Sequence, residues 1–471
     1  MKKAIIVILP LLLIAVCMLE PTFDDWTYFT TPYYDFDTNI IDRLIPRYSY
    51  WRPFDCLFGL LLTIDHRLFP LLNHIAVFIA HVMSALMVYK LGRMLSLCKE
   101  SAWVATLFFF FSPAMLGTVL GIDSLNQAYS HLWGMIAIYA YLHGRHSLWI
   151  LCALLSLFCK ENGIAFFFIP IIIKWAINRD NILLSLRNLC VSLAVIGLYF
   201  LIRVILESDA VYINEEYFDS PVLRIANNII RFVSLSLIPI DYVSIATEAT
   251  HNYPLALVTL ALSMPFMIML VVKGRHTLRS PLFVSLMISA LVAAGPHIAT
   301  LFTTMHAYAG LGLISIAIGM LWQNSNIKEK TIFRNPYLIA FLLSCLIIDT
   351  HHWYCSYESG QQGKRMAEKV LKTIHPKPKL CVLYIDTNES KYSSFCVIPY
   401  DAFGWGKAVR HYGDGINPAY IDNYTFQPND TTAIHHYVDS IHTEGYQDVL
   451  VVEGNEIDTY SKWLEKKYNA R

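Results

Sequence analysis

Apolar runs of membrane-crossing length recur through the first 350 residues, and they constrain this chain more than any single motif does. About 20 consecutive apolar residues span a bilayer as a helix, because a helix satisfies its own backbone hydrogen bonds. Composition agrees. Of 471 residues, 55% are hydrophobic and 15% charged, and mean hydropathy is +0.44. A soluble domain carries nearer a quarter charged residues. Formal net charge is +0, so no basic field points to nucleic acid. Trp and Tyr gather at the ends of the apolar runs, as interfacial belts require.

Basic turns orient these runs, since Lys and Arg stay on the cytoplasmic side. Lys2 and Lys3 place the N-terminus inside, and Ala4 to Leu19 reads as an uncleaved first helix. A signal peptide has the same basic start and short core, but Val16 argues against a lipobox at Cys17. Residues 20–70 form a long first outer loop. Within it, Phe54 to Ile64 is too short to cross and reads as an interfacial helix, with Pro53 suiting a first helical position. Further crossings are Leu71 to Leu91, Ala102 to Thr118, Leu125 to Leu142, Ser147 to Cys159 and Gly163 to Ile177. Leu189 to Leu206, Leu255 to Val272, Pro281 to Ala299, Ala307 to Trp322 and Tyr337 to Ile348 follow. Val222 to Ala246 reads as re-entrant or interfacial, because a crossing there would turn Lys273, Arg275 and Arg279 outward.

The fold class expected is a polytopic α-helical membrane protein with about eleven transmembrane helices, N-terminus in and C-terminus out. The transmembrane domain covers 1–350. Residues 351–471 have ordinary soluble composition and read as a small α/β extracytoplasmic domain. Its strands are Leu380 to Ile385, Ser394 to Ile398 and Val449 to Glu453; its helices are Gln361 to Ile374 and Tyr460 to Tyr468. The ten cysteines show no CxxC and no zinc spacing, although Cys381 and Cys396 could pair outside the cytoplasm.

On this topology several polar groups fall at one depth on the outer face. Asp24 and Asp25 follow the first helix directly, and paired carboxylates there can supply a base. Acidic residues also cap helix exits or sit in solvated loops. Arg52, Asp123, Lys160, Glu161, Asp241, His297 and His306 fall at the same level, with His74 near the outer end of its helix. Ionisable residues at membrane depth are costly and mark function by default, the alternative being that they anchor helix ends. Lys160-Glu161 lies between two apolar runs, where a buried ion pair fixing helix packing is the other reading. Group transfer from a lipid-linked phosphate would use such a set. Arg52 and Lys160 supply fixed cations for the leaving phosphate, and Asp24 or Asp25 is the candidate base for an acceptor hydroxyl.

Over about residues 5–350 the chain resembles the GT-C superfamily of membrane glycosyltransferases, which includes the protein O-mannosyltransferases and the aminoarabinose-transfer enzymes. It looks nearest to the branch with TPR-containing O-mannosyltransferases. The resemblance rests on Asp24-Asp25, then Trp51-Arg52-Pro53-Phe54, His74 with His81, Ser112-Pro113, Lys160-Glu161, and Pro239 with Asp241-Tyr242. Val77 departs from the family's middle Asn. Met305-His306-Ala307-Tyr308 replaces a Glu-Arg-Tyr type motif and keeps only Tyr308, and the TPR array is absent. The resemblance implies a polyprenyl-phosphate sugar donor, inversion at the anomeric carbon and an aspartate base on the first outer loop. The acceptor would be a glycan, lipid or protein hydroxyl, with membrane lipid as the surrounding partner. Trp51, His74, His81, Glu161, Asp241, His306 and Tyr308 would be supporting residues. No cofactor is firmly implied, and a divalent metal at the Asp pair stays open. The expected location is a bacterial inner membrane, with the C-terminal domain periplasmic.

Three other classes remain. A lipid-linked glycan polymerase or ligase would also use outer-face Arg and His. A flippase needs polar groups spread through the membrane depth and helix-breaking Gly/Pro pairs at the midplane, which are sparse here. A non-catalytic scaffold would display the C-terminal domain, whose Tyr/His-rich stretches could otherwise stack on acceptor sugar rings.

Overall fold

The structure is a computed structural model, and it describes residues 2–22, 25–26, 51–62, 68–177, 182–206, 221–246, 252–300, 302–325, 334–373, 380–385, 407–412, 420–426, 430–446, 448–453 and 456–469. Asp24, Cys396 and the strand expected at 394–398 lie outside the described residues. The chain divides into two compact units. One is Asp37–Tyr242 with Asn252–Thr350, and the other is Met1–Phe36, Val243–His251 and His351–Arg471.

The first unit is a helical bundle. Among the described residues six helices are long and apolar enough to cross a membrane: Leu71–Met94, Ser185–Leu206, Tyr253–Lys273, Pro281–Ile298, Thr304–Gln323 and Pro336–Lys372. A seventh candidate is the bent pair Lys99–Phe111 and Pro113–Val119. Each of the eleven expected segments has a helical counterpart, yet several are shorter than a full span. His146–Cys159 has 14 residues, and the stretch expected as one helix from Gly163 is a 3-10 turn, Glu161–Phe167, followed by Ile169–Ile177. Leu125–Leu142 packs on His146–Cys159, and Pro281–Ile298 on Tyr308–Gln323. Within Val222 to Ala246, the stretch read as re-entrant or interfacial, Pro221–Leu237 is a 17-residue helix whose Val222, Leu223 and Ile230 are exposed.

The 50° bend has a local cause. Pro113 has no N–H and forces the residue before it out of the helical region, so Ser112 is extended. The Ala114 amide turns to the Ser112 hydroxyl at 3.4 Å. The carbonyl of Phe110, which an unbroken helix would have given to that amide, is left to accept from His81 instead.

In the second unit, β1 (Leu380–Ile385) lies between β2 (Tyr420–Phe426) and β3 (Asp448–Glu453), parallel to both. β4 (Glu456–Thr459) closes the β3 side antiparallel. Thr431–Thr443 and Tyr460–Asn469 add Ile434, Val438, Ile441 and Trp463 to a core with Leu383, Ile385, Val449 and Val451. The short strands β2 and β4 carry weak periodicity and are not legible in the sequence, whereas the 431–443 helix, outside the sequence expectation, does repeat Ile434, Val438 and Ile441 at helical spacing behind an Asp430 cap.

One expectation is corrected. The crossing at 337–348 and the separate helix at 361–374 are one helix, Pro336–Thr373, of 38 residues. The polar stretch from Asp349 onward changes the environment of the helix but contains no proline to stop its backbone. Helix Lys2–Cys17 and the stretch after it belong to this second unit. Trp353 donates to the carbonyl of Ala15 at 2.7 Å, and Glu20 accepts from Lys364 at 2.7 Å and from the Tyr412 hydroxyl at 2.9 Å. Gly360 is required there, since a Cβ would sit 2.6 Å from the Glu20 carbonyl oxygen.

Candidate active site

Arg52 and Glu161 form the anchor of the site. Arg52 Nε lies 3.0 and 3.1 Å from the two carboxylate oxygens, and a terminal guanidinium nitrogen lies 2.7 Å from Oε2. Such a fork fixes direction as well as charge. Pro53 starts the Pro53–Leu62 helix and holds Arg52 just outside it. Trp51 secures the other side: it stacks on Tyr199 at 5.1 Å, and its carbonyl accepts from the Tyr199 hydroxyl at 3.1 Å. Burial raises the Glu161 carboxyl, but the charge and hydrogen bonds of Arg52, with Lys160, outweigh it and hold the group below its ordinary value.

Lys160 ends the 146–159 helix in an extended conformation and is 5% exposed. The turn after it is tight. Gly163 N–H donates to the Lys160 carbonyl at 2.9 Å, and a Cβ on Gly163 would lie 2.3 Å from backbone atoms of Ser156 and Leu157. Only glycine allows the chain to double back this closely. Asn162 is tied into the bundle by Ser130, which donates to its Oδ1 at 3.2 Å and lies 3.1 Å from Ser156.

A second turn, Thr303 to Ala307, meets the first. Lys160 Nζ lies 3.5 Å from Met305 Sδ. The Ser124 hydroxyl lies 3.6 Å from the same sulfur and 3.0 Å from Asp123 Oδ1. Thr118 donates to the Met305 carbonyl at 3.1 Å. Gly117 is again a seat: a Cβ there would lie 2.5 Å from Thr304 Oγ1 and 2.6 Å from Met305 N. His306 stacks face to face on His297, centroids 3.7 Å apart and planes 12° apart. Charges on Lys160 and Arg52 act on both rings.

Behind this turn lies a buried polar chain. Tyr308 donates to His81 Nδ1 at 3.0 Å, and His81 Nε2 donates to Phe110 O at 3.3 Å. His131 packs edge-on to Tyr308 at 4.8 Å, and its Nδ1 lies 3.2 Å from the Ser84 hydroxyl. Gly312 leaves room for His131, whose Nε2 a Cβ would approach to 2.8 Å.

The structure therefore brings Arg52, Glu161, Lys160, His297 and His306 into one neighbourhood, with Trp51 pinning Arg52 and His81 and Tyr308 behind the 303–307 turn. His74 and Asp241 are fully buried in the same unit. Asp25 belongs to the other unit, where its Oδ2 accepts from Thr22 N–H at 3.1 Å in a tight turn beside the fully buried Trp26. Sequence reasoning named Met305 only as part of the 305–308 segment, without a role, and missed Ser124, Gly117 and His131. The glycine seats had no signal, because nothing in the sequence tells which glycine faces a second backbone. Among the described residues no three His, Cys, Asp or Glu side chains converge to hold a metal ion.

No family profile and no curated protein matches the chain. Among solved structures it is similar to the crystal structure of ArnT from Cupriavidus metallidurans bound to undecaprenyl phosphate. Sequence identity is 10% and the TM-score 0.47, over 99% of this chain and 95% of that one.

Proposed function

We propose that this chain is a membrane glycosyltransferase that moves a sugar from a polyprenyl-phosphate donor to an acceptor hydroxyl at the outer face. The observation that carries the reading is the meeting of Lys160, enclosed and cationic, with a turn whose His306 stacks on His297 of the Pro281–Ile298 helix, next to the clamped Arg52–Glu161 pair. A departing phosphate needs fixed positive charge where its negative charge grows. Arg52 and Lys160 supply it. Asp24 or Asp25 takes the proton from the acceptor hydroxyl. The acceptor oxygen then bonds to the anomeric carbon from the side opposite the phosphate. The bond from that carbon to the phosphate oxygen breaks, and its electron pair stays on the polyprenyl phosphate that leaves. Inversion follows from that direction of attack.

The test is transfer in nanodiscs from a panel of radiolabelled polyprenyl-phosphate sugars. Wild type is compared with Asp24→Asn, Asp25→Asn and Lys160→Met. Wild type should consume at least one donor, and one Asp variant should lose turnover while keeping its melting temperature. No turnover of any donor, together with failed export of lipid-linked glycan in cells lacking the protein, would move the reading to a flippase or a polymerase.

A further inference from the structure

We infer that His306 presents its Nε2–H to a phosphoryl oxygen held beside Lys160, so that a neutral imidazole, and not the cations alone, reads the phosphate. This rests on the reading above and adds to it the group that recognises the anion.

The tautomer follows from one backbone contact. Thr303 N–H donates to His306 Nδ1 at 3.0 Å. A backbone amide offers no acceptor on nitrogen, so Nδ1 must be the bare nitrogen of the ring. The ring is then neutral and its single proton is on Nε2. The Thr303 hydroxyl lies 3.3 Å from the same Nδ1 and can only reinforce this. Nε2 makes no hydrogen bond to any described residue.

The ring is also fixed in place. His297 covers one face at 3.7 Å, and Phe302 lies tilted at 6.0 Å. Turning the imidazole over would carry Nδ1 away from the Thr303 amide. His306 is only 9% exposed, and Nε2 is not among the fully enclosed atoms, so a ligand can reach that nitrogen while the rest of the ring stays packed. A ring N–H held at one fixed position at the edge of a packed side chain is a preorganised donor for an acceptor that arrives there. An acceptor there would also feel an ammonium, since Lys160 Nζ rests on the neighbouring residue, Met305, and its charge acts on the His306 ring. A phosphoryl oxygen fits both conditions: it accepts only, and it carries the negative charge that Lys160 favours. The phosphate could belong to a lipid headgroup or to free phosphate.

The experiment separates the two nitrogens of His306. Asparagine places its side-chain oxygen near Nδ1, keeping an acceptor for Thr303 N–H but losing the outward donor. Glutamine places an N–H near Nε2. Binding of polyprenyl phosphate, the matching polyprenol and inorganic phosphate is measured on wild type, His306→Asn and His306→Gln in nanodiscs, beside melting temperatures. Wild type should prefer polyprenyl phosphate over polyprenol. His306→Asn should stay folded and bind the phosphate roughly 10- to 100-fold more weakly, the fold-change for one lost hydrogen bond to a charged group. His306→Gln should fall between the two. Competition by inorganic phosphate that His306→Asn abolishes would support the inference with free phosphate as source. Preference for the lipid alone would support it with the headgroup as source. Wild-type binding of polyprenyl phosphate by His306→Asn would overturn the inference and leave the transferase reading standing. Equal binding of polyprenol and polyprenyl phosphate by wild type would overturn both.

Discussion

Tyr308 and His81, 227 residues apart, are joined by a 3.0 Å hydrogen bond at the buried centre of the bundle. The tyrosine is the donor, because His81 has committed its other nitrogen to the Phe110 carbonyl. Phenylalanine at 308 would strand Nδ1 of His81 without a partner. Tyr308→Phe should cost about 1–3 kcal/mol. Tyr199→Phe, which frees only the less enclosed carbonyl of Trp51, should cost about 0.5–1.5 kcal/mol. Denaturant midpoints of the two variants in detergent check the order.

Two glycine substitutions should act in opposite directions. Gly117→Ala drives a methyl to 2.6 Å from the Met305 backbone nitrogen, so the 303–307 turn must shift. Overpacking of this kind costs about 1–3 kcal/mol, and donor binding should fall with it. Gly197 sits within the Ile182–Leu206 helix with open space around its Cβ direction. Gly197→Ala should be neutral or stabilising by up to about 1 kcal/mol. Melting temperature and binding on both variants decide this.

Acid should release the Arg52–Glu161 clamp. The Glu161 carboxyl titrates below its ordinary 4.5 in the folded chain. Its contribution to stability is therefore fully present above about pH 4.5 and is lost as pH falls through the lowered value. Glu161→Gln should be less stable than wild type at neutral pH, with a gap that narrows on acidification. Asp458, held low by hydrogen bonds from Lys466 and Lys462, belongs to the other unit and supplies acid lability that this variant keeps. A pH series of melting temperatures for both proteins measures the difference.

Glu20 joins Lys364 to Tyr412 within the second unit, and Trp26 lies edge-on to Tyr412 at 5.7 Å. Trp26→Ala should cost about 3–5 kcal/mol of that unit's stability, as for a fully buried aromatic. Tyr412→Phe should cost about 0.5–1.5 kcal/mol. Limited proteolysis within residues 1–36 reports both, with Trp26→Ala cut much faster.

The apolar runs were legible as helices because their length and composition leave little else in a membrane, and Ser112-Pro113 marked a break whose bend only the backbone could show. β1 and β3 were legible from their valine and leucine runs. β2 was not, since Tyr-Ile-Asp-Asn-Tyr alternates too weakly to be separated from a loop. At the site, charge and spacing singled out Arg52, Lys160, Glu161 and His306. They could not show that Glu161 faces Arg52 across 109 residues, or that Met305 lies under Lys160. Those are tertiary contacts with no local periodicity behind them.

Gly163 and Gly117 seat the two turns of the site against backbone with no space to spare. A turn wedged in this way has almost no alternative conformations to lose. The entropy of ordering Lys160 and Met305 is therefore met when the protein folds, not when a ligand arrives. Association at this site should be fast and only weakly temperature-dependent in its heat, because little of the protein has to be rearranged to receive the guest.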